Sequence, residues 1–482
     1  MESIWSEEVT IPQRKELIGG LNVEVAVIGA GMAGLLTAFF LKEHGCDVVV
    51  LEAERIAGGQ TKHTTAKITS QHGLIYDKLI RNCGMEKAGL YAKANEWAIG
   101  AYEKIIEDKN FACDFQRLPS YLYSIKQTES LMAEADAAAA LGIKAYYTKK
   151  NKLPFPTAGE VCFENQAQFH PLKFIRAISE GITIYENTRV ISVKQHVIYT
   201  ERGTVTANHI VFATHYPFIN IPGFYFIRQH QERSYVLALS GAAQLKGMYY
   251  GIDRNTLSFR NSGDILLLGG GAHRTGENRE GGSYEMLRKE ARKLYPNATE
   301  IAHWSAQDCM PHDEIPFIGK YSKFRPYWYV ATGFKKWGMT NSMIAAMIIS
   351  DMIQGKENEY AELFTPQRFY FRASMKNLLK DIGKSTKGLV KGSFHFPFTS
   401  VEKLPEGYGG IVRKGFRRYG VYKDEQGVIH QISAKCPHMG CELEWNPDEL
   451  SWDCPCHGSR YDCDGKLIDN PAQINKHYTE NS

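Results

Sequence analysis

Apolar runs, and the glycine and polar stretches that interrupt them, predict the elements. Val23–Ile28 is apolar and largely β-branched apart from Glu24, the pattern of a strand buried on both faces of a parallel sheet. It leads into "GAGMAGLLTAFFLKEHG", a glycine turn and a helix that Gly45 ends, and then into a second buried strand over Asp47–Leu51. Further on, "TESLMAEADAAAALGI" is a run of strong helix formers. "RSYVLALSG", "GMYYGID", "LSFRNSG" and "ILLLGGG" are short strand patterns separated by glycine or Asn/Asp turns, which predict a mixed antiparallel sheet. The most apolar helix, Met339–Ile353, is short and carries Asp351, so it predicts no membrane span.

The first glycine turn carries chemistry. Gly29, Gly31 and Gly34 fit G-x-G-x-x-G: a tight turn, a close approach of backbone to pyrophosphate, and close packing of helix on strand. The second strand delivers Glu52, eighteen residues after Gly34, where a carboxylate accepts the ribose hydroxyls of an adenosine. The pattern serves FAD or NAD. A second glycine run, "LLLGGGAHRTGE", has Arg274 where the third glycine belongs, so it is read as a turn and gives NAD no evident site.

Composition narrows the class. A chain of 482 residues exceeds one hydrophobic core, so two or three domains are expected. Lys and Arg exceed Asp and Glu by only four, and no basic run alternates with aromatics, so nucleic acid is not an expected partner. The opening "MESIWSEEVTIPQRKE" lacks the basic and apolar regions of a secretory signal, and the expected location is the cytoplasm.

Of ten cysteines, five crowd into Cys436–Cys463. "CPHMGC" offers Cys436 and His438, and "CPCHGS" offers Cys454 and His457. Two thiolates and two imidazoles suit a tetrahedral zinc or a [2Fe–2S] cluster with cysteines on one iron and histidines on the other. Each loop carries one cysteine more, Cys441 and Cys456.

Those two loops resemble the Rieske proteins of cytochrome bc complexes, with C-x-H-x-x-C on one loop and C-x-C-H-G-S on the other. The resemblance implies that Cys436 and Cys454 bind the inner iron and His438 and His457 the outer iron. It implies a Cys441–Cys456 disulfide tying the loops, an exception for a reducing compartment. It also implies that Ser459 and Tyr461 donate hydrogen bonds that raise the potential, and that "NPA" at Asn470–Ala472 covers the cluster.

The stretch after Glu52, "AERIAGGQTKHTTAKITSQHG", resembles the loop that wraps the flavin in the D-amino-acid oxidase and glycine/sarcosine oxidase family, which favours FAD. By that resemblance Arg55, Gly59, Thr64, Thr65, Ala66 and Lys67 lie near the flavin, while His63 and His72 are read as polar loop histidines. Val190 would contact the adenine side and Ala213 and Thr214 would close over the dinucleotide. Gly333 would end a strand, and a helix starting at Gly338 and Met339 would aim its amino terminus at the pyrimidine ring, stabilising anionic reduced flavin. Cys309 lies near the position where some sarcosine oxidases attach flavin, in a displaced register.

The expected fold is therefore an α/β, Rossmann-like FAD-binding domain with an α+β substrate domain and a carboxy-terminal all-β Rieske domain. The expected division gives 1–89, 165–222 and 310–356 to FAD binding, 90–164 and 223–309 to the substrate domain, 357–393 to a solvated linker bearing Lys376, Lys380, Lys384, Lys387 and Lys391, and 394–482 to the Rieske domain. Together the two resemblances match a bacterial group in which a flavin amine-oxidase-type domain precedes a Rieske cluster. A flavin takes two electrons as a hydride and the cluster passes one, so the pair implies oxidation of a small amine or amino acid with export of electrons to a partner protein, a quinone or another acceptor. Lys67 and Trp337 are the candidates for facing flavin or substrate. The alternative is a reductase delivering electrons through both centres to a partner protein. A Rieske oxygenase would need two histidines and a carboxylate downstream for iron, and only His477 follows the cluster loops.

Overall fold

The computed structural model describes residues 2–368, 401–415 and 417–476. The buried run lies in strand Gly19–Ile28, at the centre of an eight-stranded sheet, parallel to Val48–Leu51 on one side and to Gly203–Phe212 on the other. Thr183–Tyr185 and Arg325–Thr332 extend the parallel set, and Phe317–Ser322 closes one edge antiparallel. Helices Met32–Glu43 and Gly338–Ile353 pack against each other in the core beside it. The buried end of strand Gly19–Ile28 falls into two separate core clusters, Val25 and Val27 in one and Ala26 and Ile28 in the other, so these four positions are all apolar, while Asn22 and Glu24 lie on the less buried half of the strand.

The second sheet has nine strands, running Thr299–Pro311, Gln229–Ser240, Ile265–Arg274, Ser258–Ser262, Met248–Gly251, Gln116–Ser124, Gly159–Gln168 and Lys67–Ile68, with Ala145–Thr148 paired to Gly159–Gln168. Beyond the linker, Tyr408–Lys414, Arg417–Lys423 and Ile429–Ser433 form a three-stranded sheet. Glu444–Asn446, Ser451–Asp453, Arg460–Asp462 and Leu467–Asp469 form a four-stranded one around Trp445, Trp452 and Leu443. No helix among the described residues is long and apolar enough to cross a membrane.

Several expectations shift. The cut between 89 and 90 falls inside helix Tyr76–Asp108, and that between 164 and 165 inside strand Gly159–Gln168. Lys67 and Ile68 pair with Gln168 and Ala167, so the loop after Glu52 already feeds the second sheet. The glycine run is not a turn. It continues strand Ile265–Arg274, because a side chain at Gly269 would meet Ser258 Oγ at 2.6 Å and Gly271 takes φ +66° where the pairing with Arg233 and Tyr235 is irregular. The first part of the expected linker is packed, with Leu363 and Phe364 in the core and the Arg368 guanidinium 2.8 Å from the Asp313 carboxylate. The five linker lysines lie outside the described residues.

Candidate functional site

The carboxyl ends of the parallel strands open into a cavity whose walls include Gly29, Gly31, Glu52, Gly59, Thr64, Val190, Ala213, Thr214, Gly333, Gly338 and Met339. Its fit to a dinucleotide rests on closeness. A side chain at Gly34 would come within 1.9 Å of the Gly29 carbonyl oxygen, and one at Gly29 within 2.5 Å of the Ala213 carbonyl oxygen. The helix is capped by Gly31, which has no side chain to offer; Thr61 Oγ1 accepts from the Met32 N–H at 3.0 Å, and a phosphate can satisfy the first-turn N–H groups beyond it. Glu52 is held at the cavity edge by the N–H of Ala30 at 2.7 Å and of Glu54 at 3.0 Å. Burial raises its carboxyl pKa against the pull of those two bonds.

Other expected contacts lie elsewhere. Arg55 turns to the Glu186 carboxylate at 2.6 Å and the Ile11 carbonyl at 2.8 Å, which fixes the loop rather than a cofactor. The Thr65 carbonyl accepts from the Arg260 guanidinium, and Ala66 is fully buried with its N–H on Thr64 Oγ1 at 2.9 Å. Neither they, Lys67 nor Trp337 lines the cavity. Lys67 sits on an edge strand, where burial and then Arg260 lower its ammonium to about 7. Trp337 stacks on His72 with ring centres 5.0 Å apart and meets Tyr250 edge-on at 5.4 Å. His72 is a loop residue, as expected, but a buried one, bonded to the Tyr91 hydroxyl at 2.7 Å and the Thr69 carbonyl at 2.8 Å. Cys309 is buried with its thiol 3.5 Å from the His215 carbonyl oxygen, and burial pushes its pKa well up, which makes it a poor nucleophile.

The cavity also holds residues no motif announced: Gln307 and Asp308 on strand Thr299–Pro311, and Lys335 and Lys336 before Trp337. Both lysines are matched, Lys335 with Glu314 and Lys336 with Glu232, each at 3.5 Å. Burial pushes the Asp308 carboxyl up to about 6.

The second centre lies between the two carboxy-terminal loops. Cys441 and Cys456 form a disulfide, with Cα atoms 6.5 Å apart. Cys436 and Cys454 are buried free thiols, and the neighbouring Cys454 thiol lowers the Cys436 pKa to about 6. His438 and His457 turn their Nδ1 atoms toward each other, 3.2 Å apart. Burial lowers them to about 4 and about 3, so both are neutral. One atom bound tetrahedrally by two imidazoles at about 2.1 Å sets their nitrogens about 3.4 Å apart. The buried Tyr461 hydroxyl, facing Cys436, has no nitrogen or oxygen partner among the described residues, and the Ser459 hydroxyl also reaches Cys436. Two thiols, two inward Nδ1 atoms and hydroxyls aimed at sulfur fit a mixed cysteine–histidine cluster.

The two centres share a wall. Leu467, Ile468, Asp469 and Asn470 line the flavin-side cavity. Gln60 donates to Asp469 at 2.9 Å, and the Asn470 amide donates to the carbonyls of Thr214 and Tyr216 at 2.9 and 2.8 Å, so "NPA" docks on the flavin side as well as donating Ala472 N–H to Ser459 Oγ at 3.0 Å. Gln231 Nε2 donates to the His457 carbonyl at 2.7 Å, and Gln307 Nε2 to the Gly458 carbonyl at 2.9 Å. Under these bonds Arg233 and Arg460 hold the buried carboxylate of Glu449 between them.

Comparison with known proteins agrees with both halves. Residues 24–352 match the DAO family, FAD dependent oxidoreductase, and residues 395–478 match the Rieske [2Fe-2S] domain. A Bacillus subtilis (strain 168) protein, YhfW, provisionally described as a Rieske 2Fe-2S iron-sulfur protein, is 36% identical over 98% of this chain and 96% of its own. The cytochrome b6-f complex iron-sulfur subunit of Synechococcus elongatus is 40% identical over 62 residues, 13% of this chain and 35% of that one. In fold, glycine oxidase from Geobacillus kaustophilus superimposes with a TM-score of 0.62 at 18% identity, covering 72% of this chain and 99% of that one. L-proline dehydrogenase from P. horikoshii does so with a TM-score of 0.62 at 16% identity, covering 73% and 98%. The chain belongs to the DAO family of FAD-dependent oxidoreductases and carries a Rieske [2Fe–2S] domain behind the flavin-binding part.

Proposed function

We propose that the protein oxidises a small amine or amino acid at the flavin and passes the electrons singly through a cluster held by Cys436, His438, Cys454 and His457 to an external acceptor. When bound, FAD supplies hydride acceptance and the cluster supplies one-electron transfer. The observation that carries this reading is the shared wall, where Gln307 both lines the flavin-side cavity and hydrogen-bonds the loop bearing His457. Substrate positioning falls to the residues at that end. With Lys335 and Lys336 already matched by carboxylates, Asp308 supports a cationic amine over the carboxylate end of an amino acid.

Anaerobic rapid mixing with a panel of amines and amino acids tests the proposal. The native protein should show flavin bleaching followed by cluster reduction, and His457→Ala should show bleaching alone. A native cluster that stays oxidised beside fully reduced flavin would remove the one-chain route. A flavin that no member of the panel bleaches would remove the substrate class.

A further inference from the structure

Asn220 belongs to the flavin part of the chain, in the loop after strand Gly203–Phe212, yet its side chain reaches the cluster loops. Its Oδ1 lies 2.8 Å from Nε2 of His438. His438 turns Nδ1 inward toward His457, so with the cluster bound Nδ1 would be the ligand atom and would carry no proton. A neutral imidazole then keeps its one proton on Nε2. The bond therefore has a single sense, with Nε2–H donating and the amide oxygen accepting, and this fixes which way the Asn220 amide faces. Phe226, in the helical turn Tyr225–Ile227 that follows this loop, lies edge-on to both imidazoles, with ring centres 6.3 Å from His438 and 5.7 Å from His457.

We propose that Asn220 is a positioning residue that sets the redox potential of the docked cluster by making His438 a stronger ligand to the outer iron. An acceptor on the outer N–H draws that proton outward and leaves more electron density on Nδ1, which favours the more positive, oxidised iron. Its effect is to lower the potential, opposite to hydroxyl donors aimed at sulfur. Because donor and acceptor come from different parts of the chain, the bond exists only while the Rieske part is docked. Docking and potential are thereby linked, and the docked cluster is the better donor to an onward acceptor. This rests on the ligand assignment above and is independent of which substrate reduces the flavin.

The test is a potentiometric titration of the holoprotein, followed through the electron paramagnetic resonance signal of the reduced cluster. Asn220→Ala should raise the midpoint by about 59 mV, a tenfold change in the one-electron equilibrium. Asn220→Asp, which keeps the acceptor and adds negative charge, should lower it. A merely structural role would move both variants in the same direction. Equal midpoints for native protein and Asn220→Ala, or a lower one in Asn220→Ala, would overturn the inference. If Asn220→Ala fails to retain its cluster, the sign of the shift in Asn220→Asp decides. An all-cysteine signal in the native protein would instead overturn the ligand assignment.

Discussion

Asp308 stands directly opposite Glu232 across two antiparallel strands, at the cavity end where Lys336 already pairs with Glu232. Burial raises its carboxyl to about 6, Lys336 opposes that rise, and Glu232 adds to it. An amine substrate stays cationic throughout the neutral range, so the titration that matters is that of Asp308. Protonated below about pH 6, it offers no charge, and ionised above, it does. Amine binding, read from the perturbed flavin spectrum without oxygen, should therefore tighten as pH rises through about 6. Asp308→Asn should weaken it about tenfold to a hundredfold, the worth of a charged hydrogen bond, and flatten the pH dependence. A native profile flat between pH 5 and 8 would exclude this role. None of this was legible in the sequence, because a lone aspartate in "SAQDCMP" acquires meaning only from strand register. The four candidate cluster ligands were legible for the converse reason: two tight loops bring each pair together by local spacing alone.

At the scale of the element, the glycine turn and its helix form a unit that tolerates no added atom. A β-carbon at Gly34 would meet the Gly29 carbonyl oxygen at 1.9 Å and Val27 Cγ1 at 3.3 Å, so Gly34→Ala must push helix Met32–Glu43 off strand Gly19–Ile28. The expected cost is about 1–3 kcal/mol, with a fall in bound FAD read from the ratio of flavin to protein absorbance. Gly100, exposed in helix Tyr76–Asp108 with nothing within 4 Å of its added β-carbon, supplies the contrast. Gly100→Ala should stabilise by about 0.5–1 kcal/mol and leave FAD content unchanged. Equal FAD content in the two variants would show that close packing at Gly34 is not what holds the cofactor. The same comparison explains what was read correctly and what was not. The apolar run Val25–Ile28 names a buried strand by itself. Gly269–Gly271 resembles a turn locally and is a strand because neighbouring strands crowd it, which the local pattern does not contain.

At the scale of the molecule, the Rieske part docks through charge buried where water cannot reach it. Burial alone would raise the Glu449 carboxyl, but Arg233 from the flavin side and Arg460 from its own side outweigh that and hold it at about 2. Gly458, at φ +83°, lets the cluster loop approach so closely that a β-carbon there would meet Gln231 Nε2 at 2.7 Å. No sequence pattern foretold this, since Arg233 and Glu449 are 216 positions apart and neither belongs to a motif. The depressed carboxyl contributes stability that is complete above its ordinary value of about 4.3 and is lost as pH falls through about 2. Removing the charge should act like that acid limit at neutral pH, because it leaves two buried guanidinium groups short of a partner. Glu449→Gln should cost about 2–5 kcal/mol of docking. In anaerobic rapid mixing, flavin reduction should proceed at the native rate while cluster reduction slows, because the damage lies at the junction and not in the cavity. Thermal unfolding should separate into two transitions where the native protein shows one, since the two parts have separate cores and are joined by this contact. A variant with unchanged cluster reduction and a single transition would show that the hydrogen bonds from Gln231, Gln307 and Asn470 hold the junction without the buried charges. The ion network would then serve the internal packing of the Rieske part, through Arg460 and Asp453, and not its docking.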